Sequence, residues 1–445
     1  MSSYALSHEH PSGPGDARPT AQQIIQDEGI KGQWANKTIL ITGCSSGLGV
    51  ETARALAATG ATLYLTVRDV AKTKAILGDL LQLDRIHLLT LDLNSLASVR
   101  SCASEFLSRS ESLNILIENA GVMTTPEGRT MDGFETQIGT NHLGHFLLFQ
   151  LLKPVLLASA TPEFNSRVII LSSVGHRISG VHFENLNLEE EYEPWKAYGQ
   201  SKTASLWAAN YIDRSFGNRG LHAFSLHPGS VNTDLSRHMS PEELKQAEED
   251  KTFANMMKSV EQGAATTVWA AVAGELEGTG GKYLENCQIS KPYEPSAGQW
   301  GPGYAPWAYD SEKEAKLWAV SLKLVVHESG IDVIWWNSDQ KVDYLKDLKM
   351  KLAKKVYGPA IIHLDLDVLD ESLRKVNGYE SPDGLLEHEL IYCLGLVPMK
   401  AAPSSLTECS FDPNLGDGDK IAKIRVRAII AFVNSLVRSG TLQPH

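Results

Sequence analysis

The sequence predicts an α/β fold built on a doubly wound parallel sheet. Three observations carry that prediction. Short, apolar, strand-like runs alternate with helix-length segments from Trp34 to Leu322. A glycine-rich turn follows the first run and opens a helical segment. Small and polar residues gather where the apolar runs end. Strands spaced by helices imply βαβ units; right-handed crossovers then cover both faces of a parallel sheet and leave ligand sites at the strands' carboxyl ends.

The elements follow in order. Residues 1–33 are rich in Ser, Pro, Gly and His and read as a flexible leader, with a short helix near Ala21–Asp27. Order is expected from Trp34. Thr38–Thr42 is the first strand, and the helical segment Val50–Thr59 closes at Gly60. Ala61–Val67 and Ile86–Leu93 are the next strands. Ser95–Ser108 is a helix capped by Asn94 or Ser95. Asn114–Ile117 is the fourth strand, Gln137–Leu157 a long helix and Val168–Ser172 the fifth strand. Helix Tyr198–Phe216 and strands Leu221–Leu226 and Gly281–Leu284 complete the pattern, and Tyr293–Tyr309 reads as a loop. Near Val325 the character changes. Asp332–Trp336 and Ala360–Leu366 are new strands, with a Lys-rich helix Val342–Lys355 between them. The expected domains are 1–33, 34–322 and 323–445.

Bulk properties bound the function. A chain of 445 residues suggests two or three domains. A net charge of −12 lacks the basic face that nucleic acid or anionic lipid requires. Five cysteines, at Cys44, Cys102, Cys287, Cys393 and Cys409, show neither CxxC nor zinc-ligand spacing. A reducing, cytoplasmic location is therefore expected. Neither a secretory signal nor a membrane span is expected, since no charged start precedes an apolar run and no stretch of about 18 apolar residues occurs.

The turn Thr42-Gly43-Cys44-Ser45-Ser46-Gly47-Leu48-Gly49 combines glycines for close backbone approach with free N–H groups at a helix start, as a pyrophosphate requires. At the end of the second strand, an acid would bind a ribose 2′-hydroxyl and a base would accept a 2′-phosphate. Arg68 occupies that place and favours NADP(H); the alternative is a solvated strand-end charge with Asp69 as a helix cap. Asp92 can accept from an adenine amino group or serve as a cap. Asn119-Ala120-Gly121 ends the fourth strand, where small residues admit a cofactor.

In Tyr198-Gly199-Gln200-Ser201-Lys202 a tyrosine and a lysine four apart share a helix face. An ammonium beside a phenol favours the phenolate, lowering a pKa that is ordinarily about 10. Such a tyrosine exchanges a proton with a carbonyl or alcohol oxygen. Ser173, at the end of the fifth strand, can polarise the same oxygen. The Asn141 side chain can hold a water in a proton relay. His142, His145 and His176 read as packing or surface histidines, since no metal spacing links them.

Taken in order, Thr-Gly-x3-Gly-x-Gly, Asn-Ala-Gly, Asn, Ser and Tyr-x3-Lys resemble the short-chain dehydrogenase/reductase family over about Asn36–Leu322. The stretch Thr140–Phe146, the segment from Ser172-Ser173 to Tyr198, and Gly281-Lys282-Tyr283-Leu284 look like the group holding retinol dehydrogenases and WW-domain oxidoreductases. The resemblance implies a Rossmann-type fold and an oxidoreductase acting on a small carbonyl or alcohol, with a homodimer allowed. It implies Tyr198 as acid/base, Lys202 as its tuner, Ser173 as orienter and Asn141 as relay support. It also implies a cofactor site of Gly43, Ser45, Ser46, Gly47, Leu48, Gly49, Arg68, Asp92, Leu93, Asn119, Ala120, Gly121, Tyr198, Lys202, Val231 and Thr233. One departure is Glu118, where the family usually has Asn before Asn-Ala-Gly. Substrate choice is expected from Gly175–Lys196, whose acidic run reads as a solvated rim, and from Asp234–Met257, an amphipathic lid candidate.

Beyond Val325, Asp365 and Asp367 would share one side of an extended segment and could bind a divalent cation; the alternative is a strand ending in a turn. With Asn377-Gly378, Pro382-x-Gly384-Leu385 and Phe411-Asp412-Pro413-Asn414, this stretch resembles the C-terminal part of the arginase/agmatinase (ureohydrolase) family. The resemblance implies a partial α/β segment with Asp365 and Asp367 as manganese ligands, and, as the alternative reading, a bifunctional protein with ureohydrolase activity. The family's Asp-Ala-His-x-Asp cluster and upstream histidine are absent from the sequence, and Ser410 stands at its late glutamate. A truncated, inactive segment is therefore expected.

Overall fold

Alternation along the strands sets the architecture. A computed structural model describes residues 3–327 and the backbones of strands Tyr357–Asp365 and Ala401–Cys409. In the first unit, Met1–Ser329, the strands are β1 (Thr38–Thr42), β2 (Thr62–Val67), β3 (Ile86–Thr90), β4 (Ile115–Glu118), β5 (Ser166–Leu171), β6 (Leu221–His227), β7 (Lys282–Glu285) and β8 (Gln288–Ile289). They form one sheet in the order β3-β2-β1-β4-β5-β6-β7-β8, parallel throughout except for the last pair.

Successive residues face opposite sides of the sheet. Ile39, Ile41, Ile115, Ile117, Ile169 and Leu171 join one core, and Leu40, Leu116, Val168 and Ile170 the other. The first core is closed by α1 (Ala21–Asp27), α2 (Gly47–Ala57), α3 (Val70–Leu77), α10 (Val260–Gly263) and α11 (Ala265–Val272). The second is closed by α4 (Leu96–Arg109), α6 (Gly144–Ser159), α7 (Pro194–Phe216) and α12 (Ser311–His327), while Ile138 of α5 (Thr136–Ile138) joins a smaller cluster with α7. Two short helices, α8 (Pro241–Glu249) and α9 (Lys251–Met256), lie outside this sandwich and build the Asp234–Met257 region foreseen as a lid.

The chain reverses its winding between β1 and β4, where a doubly wound sheet opens a crevice. α5 and α6 form one continuous helix, Thr136–Ser159, joined by a π turn at Gly139–Leu143. By length and composition this helix could cross a membrane, the one such helix among the described residues. Its Leu148, Phe149, Leu152 and Leu156 are nevertheless buried in the second core, as a core helix requires.

Three expectations change. Residues 3–33 are packed, not a free leader. Ile24 and Ile25 of α1 enter the core, and Arg18 is buried. The Arg18 guanidinium pairs with Asp16 at 2.7 Å and donates to the carbonyls of Gly13 (3.0 Å) and Met256 (2.8 Å). Gln262 fixes the same segment, its Oε1 accepting from Gly15 N at 2.9 Å. The third strand stops at Thr90, because Asp92 turns the chain by accepting from Asn94 N at 3.0 Å. The expected boundary at 322/323 falls inside α12, whose Val325 is buried and accepts from Arg100 at 2.7 Å.

In the second unit, Gly330–His445, β9 (Tyr357–Asp365) pairs in parallel with β10 (Ala401–Cys409). Asp365 closes β9 opposite Cys409. Asp367, the strand expected at Asp332–Trp336 and the helix expected at Val342–Lys355 lie outside the described residues.

The buried Arg18 contacts give a stability prediction. Arg18→Ala should cost about 2–4 kcal/mol, because it strands an aspartate and several carbonyls. The readout is a lower urea midpoint at unchanged slope; an unchanged midpoint would mean that the segment contributes nothing.

Candidate active site

The crevice between β1 and β4 continues into a cleft of about 1870 Å³. At its base the chain approaches itself as closely as backbone allows. Gly43 has φ +75°, and a Cβ there would sit 2.8 Å from Ala120 Cα. A Cβ on Gly49 would lie 2.2 Å from the Gly43 carbonyl, so the third glycine lets α2 seat against the turn. Asn119 locks that geometry, donating from Nδ2 to the carbonyls of Thr42 (2.8 Å) and Gly43 (3.2 Å). Asn119 also lines the cleft, with its amide hydrogens spent on the turn.

α2 begins without a side-chain cap from Ser46, leaving its first N–H groups to the cleft. Ser45, Ser46, Gly47 and Leu48 line this end. A cradle that a Cβ would fill, beside uncapped helix N–H groups, fits the diphosphate of a dinucleotide. Arg68 stands exposed on the rim, while Asp69 caps α3 by accepting from Lys72 N at 3.1 Å. Asp92, Leu93, Ala120, Gly121, Val231 and Thr233 also line the cleft. Val231 bridges to Lys258, and the Thr233 methyl packs at Gly47.

At the other end lie Ser173, Tyr198 and Lys202, all buried and all on the cleft. α7 starts four residues before the expected Tyr198 because Glu193 caps it, accepting from Trp195 N at 3.0 Å and Lys196 N at 2.6 Å, with Pro194 in its first turn. Burial pushes the Tyr198 phenol up to about 12, opposed by its hydrogen bond with Ser173. Burial lowers Lys202 to about 8. Its Nζ lies 5.6 Å from the Tyr198 ring centroid and donates to Leu171 O at 2.8 Å. Ser173 Oγ accepts from Gly175 N at 3.0 Å, so its own hydrogen is available to the Tyr198 oxygen with which it is paired.

Asn141 sits in the π turn, where its side chain bonds to the loop after β4 and to α7. Nδ2 donates to Val122 O (2.9 Å) and Ser201 Oγ (2.9 Å), and Oδ1 accepts from Val122 N (2.8 Å). Both amide hydrogens are spent on fastening the strand-four loop to α7. Oδ1 keeps a second lone pair, and the main-chain carbonyl accepts from His145 Nδ1 at 3.1 Å.

The three histidines are buried and structurally specific. His145 Nδ1 must carry the hydrogen given to that carbonyl, so Nε2 accepts from Thr42 Oγ1 at 2.9 Å. Thr42 Oγ1 in turn accepts from Ala120 N at 3.0 Å. His176 Nε2 accepts from Ala305 N (3.0 Å) while Nδ1 donates to Ser173 O (2.6 Å), fixing the serine's backbone. His142 meets Ser321 Oγ at 2.7 Å. Burial holds His145 and His176 at about 4, hence neutral. The sequence signal was present in Asn-His-Leu-Gly-His, but the partners lie too far along the chain for spacing to show them.

The acidic run at 189–193 is a rim, as read: Glu189 pairs with Arg129, Glu191 with Lys196, and Glu193 caps α7. Above Tyr198, Trp195 donates to Glu243 of α8 at 2.7 Å, and Trp300 donates to Asp250, just before α9, at 2.8 Å. Among the described residues no group of His, Cys, Asp and Glu is arranged to hold a metal ion.

Fold and site together define a Rossmann-type α/β protein whose cleft joins a glycine cradle to a buried Ser-Tyr-Lys group. The family model for short chain dehydrogenase matches residues 37–244. Short-chain dehydrogenase/reductase prx1 of Penicillium roqueforti is 50% identical over 322 residues, covering 72% of this chain and 94% of that one. Oxidoreductase calI of Penicillium decumbens is 43% identical over 339 residues, covering 73% and 98%. Retinol dehydrogenase 12 of Homo sapiens is 36% identical over 296 residues, covering 66% and 87%. The chain belongs to the short-chain dehydrogenase/reductase family and is an oxidoreductase acting on alcohol or carbonyl groups.

Asn119→Ala should release the glycine turn at a cost of about 1 kcal/mol, since two carbonyls lose a half-buried donor. Thermal unfolding measures it, and an unshifted midpoint would contradict the role assigned to that amide.

Proposed function

We propose that the chain is an NADP(H)-dependent carbonyl reductase or alcohol dehydrogenase working through Ser173, Tyr198 and Lys202, with Asn141 in support. The observation that carries this reading is the buried tyrosine itself. Its hydroxyl is paired with Ser173, has an ammonium on the next helical turn, and faces a cleft that runs back to the glycine cradle.

The cradle of Gly43–Gly49 would hold the diphosphate, Asp92 and Leu93 the adenine, and Arg68 a 2′-phosphate. Lys202 and the Val231–Thr233 segment would hold the nicotinamide riboside. When bound, the nicotinamide supplies or accepts the hydride. In the reducing direction Ser173 donates a hydrogen bond to the carbonyl oxygen, and Tyr198 delivers its proton as negative charge develops there. Lys202 then stabilises the phenolate that is left. Asn141 fixes the loop after β4 against α7 and so holds the floor of the site.

The mouth carries Ile178, Trp195, Met239, Phe253, Met257 and Trp300 on its walls, beside the charged Asp234, Arg237, Glu243 and Asp250. The apolar side chains suit a carbonyl on an apolar skeleton.

Three outcomes follow. Tyr198→Phe should lower turnover of NADPH with aldehydes or ketones by at least about a hundredfold, the general acid–base share. Undiminished turnover would end the assignment. Arg68→Glu should reverse the preference between NADPH and NADH, by about tenfold or more for a lost charge-assisted contact; equal effects on both would remove Arg68 from the 2′-phosphate site. Reduction should fall as pH rises past about 8, where Lys202 loses its proton. A rate that stays flat to pH 10 in a profile of kcat/KM would contradict the role of the ammonium.

A further inference from the structure

β4 alternates Ile115 and Ile117 toward one core and Leu116 toward the other. Glu118 follows Leu116 by two and therefore enters the second core, paired in register with Ile170 of β5. It is 3% exposed. Its Oε1 is enclosed and has no hydrogen-bond partner among the described residues. A carboxyl in that position would ordinarily be paired or hydrogen-bonded.

The carboxyl borders a small cavity with about 10 Å³ of water-accessible space, the room one water needs. The polar residues around it are Glu118, Asn141, His142, His145 and Ser205; the rest of the wall is apolar, from α6, α7 and β5. Ser205 gives its hydrogen to Ser201 O at 3.0 Å, so its lone pairs remain available. The titratable neighbours are His142 and His145, both held neutral by burial, at about 3 and about 4. None of the residues lining the cavity is a lysine or arginine, and Lys202 of α7 acts on His145. Burial alone acts on the carboxyl and pushes it up to about 8.

We propose that Glu118 is a positioning residue: a protonated carboxylic acid that, with one internal water, braces the π turn carrying Asn141 from behind. The assignment rests on the reading of Asn141 as a support of the active site. A neutral acid has a donor and an acceptor, and one water links them to the polar groups of the turn and of α7. Asparagine, the residue usual at this place in the family, is one methylene shorter, so the longer acid reaches further into the cavity.

The sign of the pH effect is fixed. The folded state keeps a proton that the unfolded chain releases above its ordinary carboxyl pKa. The contribution is therefore complete below that value and is lost as pH rises through about 8.

The test uses the full chain, the Glu118→Gln variant and the Glu118→Leu variant. An infrared difference spectrum of wild type minus Glu118→Gln at pH 7 should contain the carbonyl stretch of a protonated carboxyl, and that band should vanish by pH 10. A crystal structure of the wild type should place one water between Glu118 and the turn. Glu118→Leu should lower kcat about tenfold with KM for NADPH within twofold of wild type, and Glu118→Gln should restore most of it. A carboxylate band at pH 7, a dry cavity, or wild-type kcat in Glu118→Leu would each overturn the proposal. Should Glu118→Leu fail to fold, the spectrum and the crystal structure decide alone. A wild type that turns over no carbonyl would defeat the functional reading while leaving the band and the water in place.

Discussion

The hydroxyl of Thr42 is the joint on which the site depends. It receives a hydrogen bond from the Ala120 amide and donates to His145, whose other nitrogen serves the Asn141 carbonyl. Gly43, the next residue, touches Ala120 so closely that no side chain fits. One hydroxyl therefore ties the end of β1, the end of β4 and the long helix into a single hydrogen-bonded body. The cradle cannot shift without moving the turn that carries Asn141. This is why the crevice at the reversal of winding is a defined site instead of a gap between strands.

Burial then sets the chemistry from two sides. It raises the Tyr198 phenol and lowers the Lys202 ammonium, so each is held in its uncharged direction by the same desolvation. In the proposed mechanism, negative charge arriving at the tyrosine and positive charge at the lysine would relieve one another. The walls above are fastened by unlike parts. Trp195 and Trp300 hold the α8–α9 region through Glu243 and Asp250, and Arg177 secures the Trp300 loop by donating to Gln299 O and Gly301 O, both at 2.9 Å. Arg18 grips the far end of the same region through Met256.

Much of this was legible in the sequence because it is local. Apolar runs such as Thr38–Thr42 declare strands, and a tyrosine and lysine four apart declare a shared helix face. The three glycines mark the cradle because close approach leaves glycine no substitute. What escaped is what depends on partners distant in sequence. Thr42 and His145 lie 103 positions apart, and Arg18 and Met256 lie 238 apart. No periodicity reports such a bond, so polar residues 3–33 looked free and His145 looked like filler. The bonds of the Asn141 amide to Val122 and Ser201 escaped as well, because the π turn that aims it at Val122 has no signature in composition. Glu118 was visible as a departure from a motif, but only the fold shows that it points into a core.

The most direct test of this account is Thr42→Val, which keeps shape and strand preference and removes only the hydroxyl. NADPH affinity and single-turnover reduction would be measured together on the purified chain. The account predicts that both weaken, affinity by about tenfold for a lost buried hydrogen bond of roughly 1–2 kcal/mol, with the thermal midpoint lowered only modestly. Wild-type affinity and rate in that variant would show that the cradle and the catalytic helix are not joined through Thr42, and the central claim would fail.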